Sequence, residues 1–312
     1  AMKYTIPIKQ KPRISTQYAS IIDVNLHNLN NISVDIPLGI ITTITGVAGS
    51  GKSTLISKVF ASQYQDDVIQ INQAPIFATT RSTPVSYLNI FDDIRALFAK
   101  ENHVDKGYFS FNSKGACPKC KGKGVIVTEL VYMDPVVNQC ESCHGERYHS
   151  QTLTYTYKDK NIVDVLSLTI DEALTFFDDI KLTKKLQMLK DVGLSYMTLG
   201  QPLSTLSGGE RQRIKLAKHL HKKGKIYILD EPTTGLHPSD IEKLLILFNK
   251  LVDTGNSVII IEHNLDIIKQ SDWIIDIGPE GGLRGGQVVF EGTPLSMVQT
   301  SNTLTAQHLK NI

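Results

Sequence analysis

The sequence predicts an α/β protein whose parallel β-sheet core is interrupted by a long inserted region. Short apolar, β-branched segments alternate with segments of helical periodicity, which indicates parallel strands joined by helices on both faces of the sheet. These segments stand in two groups, residues 21–75 and residues 206–300. The 312 residues provide length for about two domains. We therefore expect residues 76–205 to form a second domain that is inserted into the first.

The elements of the predicted core follow one another in a regular order. Residues 32–36 alternate as an edge strand does, and residues 40–45 are β-branched throughout, as in a buried parallel strand. A glycine-rich turn and a helix from about Lys52 come next. After the insertion we expect, in chain order, a helix at about 207–221, a strand at 226–230, a helix at about 239–254, a strand at 257–261, a helix at about 264–270, a strand at 273–277 and a hairpin near 287–292.

The two ends of the chain lack these patterns. Residues 1–20 are polar and proline-containing, and they are predicted to be a lead-in or linker. Residues 301–312 are predicted to be a C-terminal tail.

The composition is that of an ordinary globular protein. Hydrophobic residues make up 41% and charged residues 21%, which argues against a disordered or fibrous chain. The net charge is only +2, so the total charge does not by itself indicate a nucleic-acid-binding protein. The sequence has neither an apolar run of about 18 residues nor a signal-peptide pattern. We therefore expect a cytoplasmic protein without membrane insertion.

Four cysteines form two C-x-x-C pairs, Cys117 with Cys120 and Cys140 with Cys143. Disulfides are rare in the cytoplasm, and two such pairs at this separation are typical of a structural zinc site with four thiolate ligands. A haem attachment site at residues 140–144 and a thioredoxin-like redox pair are the alternatives. Each alternative leaves one pair unexplained, so we predict a closed, structural Zn²⁺ site.

A phosphate-binding loop is predicted at residues 46–53, which match G-x4-G-K-[ST] between a strand and a helix. Backbone N–H groups of such a loop wrap the phosphates, and the helix N-terminus adds positive potential. Lys52 should reach the β- and γ-phosphates, and Ser53 should bind Mg²⁺. The nucleotide-binding residues predicted here are Gly46, Gly49, Ser50, Gly51, Lys52, Ser53 and Thr54.

Two acidic residues follow the apolar segment 226–230. Asp230 ends this strand at its carboxyl end, where ligands lie in open α/β sheets, and it can hold Mg²⁺ directly or through water. Glu231 is adjacent and can polarise the water that attacks the γ-phosphate.

A second anion site is predicted at residues 206–213, which read LSGGERQR and begin a helix. Ser207 or the glycines Gly208 and Gly209 would present bare N–H groups there. Two such sites in one chain are consistent with a second site that closes on ATP held by another cassette. These residues resemble the LSGGQ signature of the ATP-binding cassette (ABC) family, with Glu210 in place of the usual Gln.

The ABC resemblance implies an ABC-type P-loop NTPase, with a parallel-sheet core, an antiparallel edge and an inserted signature and zinc-binding domain. It also implies roles for three further segments. His263 would be the switch histidine that hydrogen-bonds the γ-phosphate, and Gln73 would be the Q-loop glutamine. Residues 235–240 would form the D-loop at a dimer seam.

The cysteine-containing stretches 117–124 and 140–148 look like the zinc module of the UvrA family of excinuclease proteins, and the match extends over about residues 21–294. This resemblance is to the second, C-terminal cassette of UvrA. It implies an ATPase that uses ATP, Mg²⁺ and Zn²⁺, binds double-stranded, damaged DNA and acts in nucleotide excision repair or in related drug resistance. Further stretches that carry the resemblance are residues 81–84, 91–95, 109–112, 191–194, 199–201, 230–237, 261–265 and 276–282.

The sequence departs from the UvrA pattern in three ways. A full UvrA has two cassettes and this chain has one, so it is either a half-size relative that forms a homodimer or the C-terminal half of a longer protein. The segment between Lys52 and Gln73 is short for the family. No segment resembles the UvrB-binding domain, so a UvrB-like partner is not implied.

Cations and aromatic residues are interleaved around the cysteines, within a zinc module at residues 115–148. They allow two interpretations: contact with DNA phosphates and bases, or a small module with its own aromatic core and solubilising lysines. The resemblance favours DNA contact. The residues concerned are Lys114, Lys119, Lys121, Lys123, Arg147, Tyr108, Phe109, Phe111, Tyr132 and Tyr148.

Two other functions share the predicted ATP site. The chain could be the ATPase subunit of a drug exporter, but a zinc module is not needed for that role. It could also be a non-catalytic interaction domain that holds ATP as a structural ligand. The joint presence of Lys52, Asp230, Glu231 and His263 argues for catalysis.

Overall fold

The computed structural model describes residues 6–72, 81–130 and 133–310. The described residues fall into two compact units, those within Ala1–Ala74 and Lys215–Ile312 and those within Pro75–Ile214. The predicted insertion ended at residue 205, and the signature helix at 206–221 was expected to pack with it. The second unit extends to Ile214 and includes the start of this helix.

Six strands of the first unit form one sheet in the order β10-β9-β3-β8-β7-β4. All neighbours pair in parallel except β10, which is antiparallel to β9. The prediction of a parallel core with an antiparallel edge is therefore confirmed. The strands of the chain are β1 (Tyr18–Leu26), β2 (Leu29–Pro37), β3 (Ile41–Gly46), β4 (Val68–Ile71), β5 (Val125–Leu130), β6 (Met133–Gln139), β7 (Ile226–Asp230), β8 (Ser257–Ile261), β9 (Trp273–Gly278) and β10 (Gln287–Gly292).

Helices connect these strands and fill the second unit. A π-helix at Thr54–Phe60 follows the phosphate loop and continues into α1 (Ala61–Gln63). The other helices are α2 (Pro84–Tyr87), α3 (Phe91–Asn102), α4 (Ile162–Ser167), α5 (Ile170–Phe176), α6 (Ile180–Asp191), α7 (Gly208–His219), α8 (Pro238–Asp253), α9 (Leu265–Gln270), α10 (Pro294–Thr300) and α11 (Leu304–Lys310). Short 3₁₀ turns lie at Lys106–Phe109, Ser150–Thr154, Leu203–Thr205 and Gly282–Arg284. None of the helices in the described ranges is long and apolar enough to cross a membrane.

The hydrophobic core of the first unit positions the carboxyl ends of its parallel strands. All residues of β3 and β8 are buried, as expected for central strands of a sheet covered on both faces. Ile44, Ile228 and Ile261 pack in one cluster with Phe60 of the π-helix. The ends of β3, β7 and β8 therefore meet at one edge of the sheet, which is where open α/β sheets bind ligands.

The first unit differs from the prediction in its antiparallel hairpin. The predicted edge strand at 32–36 is part of β2, which pairs with β1 in a separate two-stranded sheet. Because β1 begins at Tyr18, ordered structure starts earlier than the predicted lead-in at 1–20 allowed.

The lead-in and the C-terminal segment both make contacts within the first unit. The carboxylate of Asp272 is buried and forms ion pairs with Lys9 (2.7 Å) and Arg13 (3.2 Å) of the lead-in. The segment predicted as a tail contains α11, whose Ala306 and Leu309 are buried in a small apolar cluster. Neither end shows the apolar periodicity of a long element, which is why the sequence did not predict these contacts.

The second unit is mostly helical and contains one β-hairpin, formed by β5 and β6. Its α2, α4 and α5 each begin with a capping box, in which the side chains of Thr83, Asn161 and Thr169 satisfy backbone N–H groups of the first turn. A single β-bridge between Ala116 and Tyr148 joins the two ends of the cysteine-containing segment.

Candidate functional site

Two glycines give the loop after β3 its shape. Gly46 has φ +133°, and a Cβ at this position would lie 1.9 Å from the carbonyl oxygen of Ile277, so no side chain fits. Gly51 has φ +105°, where side chains are also strained. The backbone thus adopts a path that only glycine allows, as expected for a loop that wraps phosphates.

Three hydrogen bonds hold this loop from the outside. The N–H of Gly282 and the side-chain amide of Asn28 donate to the carbonyl of Gly49, at 3.1 Å and 2.9 Å. The N–H of Gly286 donates to the carbonyl of Ser50 at 3.0 Å. These contacts fix the carbonyls of the loop against neighbouring segments.

A cavity of about 330 Å³ lies against the loop, and it contains seven of the predicted site residues. They come from the loop, from the start of the following helix and from the ends of β7 and β8. Its lining residues are Asn28, Ala48, Gly49, Gly51, Lys52, Ser53, Thr54, Glu231, Ile261 and His263. Of the other predicted residues of the first unit, Gly46 ends β3, Ser50 is buried in the loop, and Asp230 ends β7 without lining the cavity.

Lys52 places a positive charge in the wall of this cavity. Its side chain is buried, and its ammonium Nζ donates to the carbonyls of Val47 (2.7 Å) and Gly46 (3.1 Å). Burial lowers the pKa of Lys52, while the charges of Glu231, Asp276 and Asp230 act in the opposite direction. An ammonium whose hydrogen bonds go to neutral carbonyls can transfer them to phosphate oxygens.

Two acidic residues stand next to Lys52 in the first unit. Asp230 ends β7, and burial raises its pKa, assisted by the negative charge of Glu231. Glu231 has φ +47°, and its N–H donates to the carbonyl of Ile261 at 2.9 Å. The left-handed backbone of Glu231 turns the chain directly after β7. The adjacent carboxylates of Asp230 and Glu231 can therefore serve different roles.

His263 lies at the exposed side of the cavity, directly after the end of β8. Partial burial and the nearby Lys52 ammonium lower the pKa of His263, which favours the neutral imidazole near neutral pH. A neutral ring keeps one N–H donor and one acceptor. Gln73, the third predicted catalytic residue, lies outside the described residues.

The signature residues lie in the second unit, where Gly208 begins α7. Bare N–H groups were predicted for Ser207 or the glycines, and the N–H of Ser207 itself donates to the Glu210 carboxylate at 2.7 Å. The Ser207 hydroxyl donates to the same carboxylate at 2.8 Å, and the Tyr196 hydroxyl does so at 2.6 Å. The S-x-x-E spacing of a capping box was a signal for this contact.

The four cysteine sulfurs converge at one point of the second unit. All four are buried, and their Sγ atoms lie within 4.8 Å of one another. Sγ–Sγ distances are 3.9 Å between Cys117 and Cys140 and 3.6 Å between Cys120 and Cys143. Four thiolates about 2.3 Å from a tetrahedral Zn²⁺ would be about 3.8 Å apart. The donor set therefore fits zinc.

Backbone groups support this centre. The N–H of Gly124 donates to the Sγ of Cys120 at 3.2 Å. Burial opposes ionisation of Cys117, but N–H groups of Cys120 and Lys119 outweigh it and lower its pKa to about 7. Such a thiol is readily deprotonated when it binds a metal.

The aromatic residues around the cysteines mostly form the core of this region. Phe109, Phe111 and Tyr148 are at most 2% exposed, so these three rings support the module from inside rather than stack on bases. Tyr132 lies outside the described residues.

The cations of the same region remain at the surface. Lys114 and Lys119 are exposed but paired with acidic side chains, whereas Arg147 lies over the Phe111 ring at 5.4 Å from its centroid. Lys121 and Lys123 are exposed.

Sequence reasoning missed three residues that shape the nucleotide site. Asn28 lies in the turn between β1 and β2, Asp276 lies in β9 beside Lys52, and Glu262 follows β8. The paired glycines at 281–282 and 285–286 were a signal for a loop that approaches another backbone closely. No comparable signal marked Asn28.

A family model described as ABC transporter matches residues 29–234. Among curated proteins, the UvrABC system protein A of Aquifex aeolicus is 50% identical over 338 aligned positions, which cover 98% of this chain and 36% of that protein. The Bacillus subtilis protein of the same name is 46% identical, covering 98% of this chain and 35% of that protein. The chain thus spans about a third of the length of these relatives.

Solved structures give the same result. The crystal structure of UvrA2 from Deinococcus radiodurans matches with a TM-score of 0.91 and 42% identity, over 99% of this chain and 41% of that one. The ATP-binding subunit of an ABC transporter matches with a TM-score of 0.50 and 14% identity, over 94% of this chain and 97% of that one, which supports the fold alone.

Proposed function

Because this chain belongs to the ABC family and is homologous to part of UvrA, we propose that it is an ATP-hydrolysing, zinc-containing DNA-binding protein of the UvrA type. The observation that carries the proposal is the cavity that brings Lys52, Glu231 and His263 together beside a phosphate-type loop. We assign the protein to DNA damage recognition in the cytoplasm, in nucleotide excision repair or in a related drug-resistance role.

Binding of ATP would use the loop and the helix that follows it. N–H groups of Gly49 and Gly51 would surround the phosphates, and the Lys52 ammonium would move from its carbonyl partners to the β- and γ-phosphates. Ser53 and Asp230 would hold Mg²⁺, which neutralises phosphate charge.

Hydrolysis would use residues at the ends of β7 and β8. Glu231 would accept hydrogen bonds from the attacking water and orient it toward the γ-phosphate. His263 would donate a hydrogen bond from its neutral ring to a γ-phosphate oxygen. Gln73 would sense the metal and the water, as the family resemblance implies.

Completion of the site would require a second cassette, either a second copy of this chain or another cassette of a longer protein. Ser207, Gly208 and Gly209 of one cassette would cover the ATP of the other in a head-to-tail pair. Hydrolysis would then reopen the pair and change its grip on DNA. Anion binding by N–H groups at the start of a helix supports this role for α7.

The zinc centre would stabilise the second unit rather than take part in catalysis, because four thiolates leave no open position on the metal. Double-stranded, damaged DNA is the proposed ligand, and exposed Lys121 and Lys123 are available for phosphate contacts. A UvrB-like partner is not part of the proposal.

The test measures the oligomeric state of the chain with and without ATP, and the affinity of each form for damaged and undamaged duplexes at several salt concentrations. We expect ATP-dependent pairing and DNA binding that weakens steeply with salt. A Lys52→Ala variant should fail to pair. A paired, ATP-bound protein that does not bind DNA would contradict the proposal, and co-purification with a membrane protein would favour an exporter instead.

A further inference from the structure

Glu262 has an unusual environment for a carboxylate. It follows β8, its side chain is only 3% exposed, and it is neither a predicted catalytic residue nor part of the cavity lining. Burial of an ionised carboxylate is strongly unfavourable unless hydrogen bonds compensate. The carboxylate of Glu262 therefore depends on hydrogen-bond donors in the surrounding loops.

The two oxygens of this carboxylate bind different loops. Oε1 accepts hydrogen bonds from the N–H (3.0 Å) and from the hydroxyl of Thr233, in the segment after β7. Oε2 accepts hydrogen bonds from the N–H groups of His263 (2.7 Å) and Asn264 (2.9 Å), in the segment after β8. One carboxylate thus joins both loops.

Backbone contacts extend this connection to the nucleotide loop. The N–H of Glu262 donates to the carbonyl of Ile44 in β3 at 3.1 Å, two residues before Gly46. The N–H of Glu231 donates at 2.9 Å to Ile261, the residue before Glu262. The ends of three neighbouring strands are therefore linked at this position.

The hydrogen bonds also exclude other roles for the side chain. A carboxylate has about four acceptor positions, and four donors already occupy those of Glu262. No lone pair remains to accept a proton from water or to bind a metal. Glu262 can therefore act only through the residues that it holds.

We propose that Glu262 is a positioning residue, which fixes Glu231 and His263 relative to each other at the nucleotide cavity. Glu231 stands two residues before Thr233, and His263 is itself a donor to the carboxylate. Nucleotide binding depends mainly on the phosphate loop, whereas hydrolysis depends on the geometry of Glu231 and His263. This inference rests on the proposed ATPase activity.

The test compares Glu262→Gln with wild type for ATP turnover and, separately, for nucleotide affinity. In the variant, an NH₂ group takes the place of one carboxylate oxygen. Whichever way the amide is oriented, this NH₂ group faces an N–H group that donates to Glu262 in wild type. We expect kcat to fall by about tenfold or more, because a buried hydrogen-bond network is broken. Nucleotide affinity should change by less than about threefold, since Glu262 does not line the cavity.

Asp272→Asn is the matched control. Asp272 is also a fully buried carboxylate that accepts backbone N–H groups, those of Arg13 (2.8 Å) and Ile41 (2.9 Å), but it lies at the amino ends of β3 and β9. This substitution should lower stability and leave kcat unchanged. If both variants lose kcat and nucleotide affinity together, Glu262 has a general structural role and the proposal is wrong.

Two further results separate this proposal from the function that it rests on. Wild-type turnover in Glu262→Gln would overturn the positioning role but leave the ATPase assignment intact, whereas an inactive wild-type chain that still binds and pairs with ATP would refute the assignment itself. If Glu262→Gln does not fold, the Thr233→Val variant tests the positioning role instead. Loss of its hydroxyl donor should lower kcat without changing affinity, and unchanged kcat would overturn the proposal.

Discussion

The carboxylate of Glu210 accepts hydrogen bonds from both the N–H (2.7 Å) and the hydroxyl (2.8 Å) of Ser207. Ser207 is one of the three residues expected to cover ATP held by another cassette. Its donors are thus occupied by an internal anion, and a phosphate must compete with Glu210 for them. Partial burial acts to raise the pKa of Glu210, but hydrogen bonds from the Tyr196 hydroxyl and, next, from Ser207 outweigh it and lower the pKa.

Replacement of this acid, Glu210→Gln, should strengthen ATP-dependent pairing while it weakens the fold. The amide lacks the negative charge that competes with a γ-phosphate, but it is a poorer cap, which costs about 1 kcal/mol of unfolding free energy. Analytical ultracentrifugation with ATP and urea unfolding measure the two effects.

Glu172→Gln is the control for Glu210→Gln. Glu172 caps α5 through the N–H (2.8 Å) and hydroxyl (2.9 Å) of Thr169, with the same geometry but outside the signature. This variant should lose stability and pair normally. Equal pairing of wild type and Glu210→Gln would show that the Ser207 contact does not oppose pairing.

The stability effect of Glu210 should depend on pH. Its pKa is lower in the folded protein than the ordinary 4.5, so its contribution is fully present above 4.5 and is lost as pH falls through the folded value. The stability difference between wild type and Glu210→Gln should therefore shrink in acid. A difference that is constant with pH would contradict the assigned hydrogen bonds.

Asp276 should show the opposite pH dependence. Burial raises its pKa above the ordinary 3.8, although the hydroxyls of Thr303 and Thr305 and the charge of Lys52 act in the other direction. A raised carboxyl pKa contributes stability below 3.8 that is lost as pH rises through the folded value. Asp276→Asn should therefore gain stability relative to wild type as pH rises toward neutrality, measured by urea unfolding at several pH values.

The Asp276→Asn substitution removes the charge of this side chain but keeps a hydrogen-bond acceptor. The Asn side-chain carbonyl can still accept the Thr305 hydrogen bond (3.3 Å in wild type), so hydrogen bonding changes little. If the stability difference does not change with pH, the carboxyl does not titrate as its burial predicts.

Removal of zinc should destabilise the second unit locally. We expect one zinc per chain, since the thiolate cluster forms one four-ligand site. Chelation should reduce hydrogen-exchange protection within residues 115–148 and leave β3 and β7 protected. Cys143→Ala should copy the chelated state. Metal-free protein with full protection in this region would contradict a structural zinc.

Gly46→Ala should abolish nucleotide binding, because the new Cβ would approach the Ile277 carbonyl oxygen within 1.9 Å and the loop would have to move. Gly39→Ala is the control. Gly39 also has a positive φ, +71°, but a Cβ there has no neighbour within 4 Å, so only backbone strain is added. Calorimetric titration with ATP should show binding in the control alone. Normal binding by Gly46→Ala would place the nucleotide away from this loop.

The core of the fold was predictable because its signals are local and mutually consistent. The all-buried pattern of β3 and the apolar runs of β7 and β8 indicate parallel strands, and G-x4-G-K-S in its strand–helix context predicts a phosphate loop. The four cysteines were grouped correctly by spacing alone, since their chemistry allows few alternatives.

The features that the sequence did not predict depend on contacts between distant segments. The lead-in is fixed by Asp272, which is separated from Arg13 by 259 positions in the chain. The role of Glu262 depends on Thr233 in another loop, at a separation of 29 positions. Periodicity and motifs carry no information about such pairs.

The most direct test of the account measures ATP binding and ATP turnover by Glu231→Gln beside wild type. Glu231 lines the cavity but is expected to act on water rather than hold the nucleotide. We expect the variant to bind ATP and to pair like wild type, while its turnover falls to the background of the assay. Full turnover in Glu231→Gln would contradict the assigned mechanism.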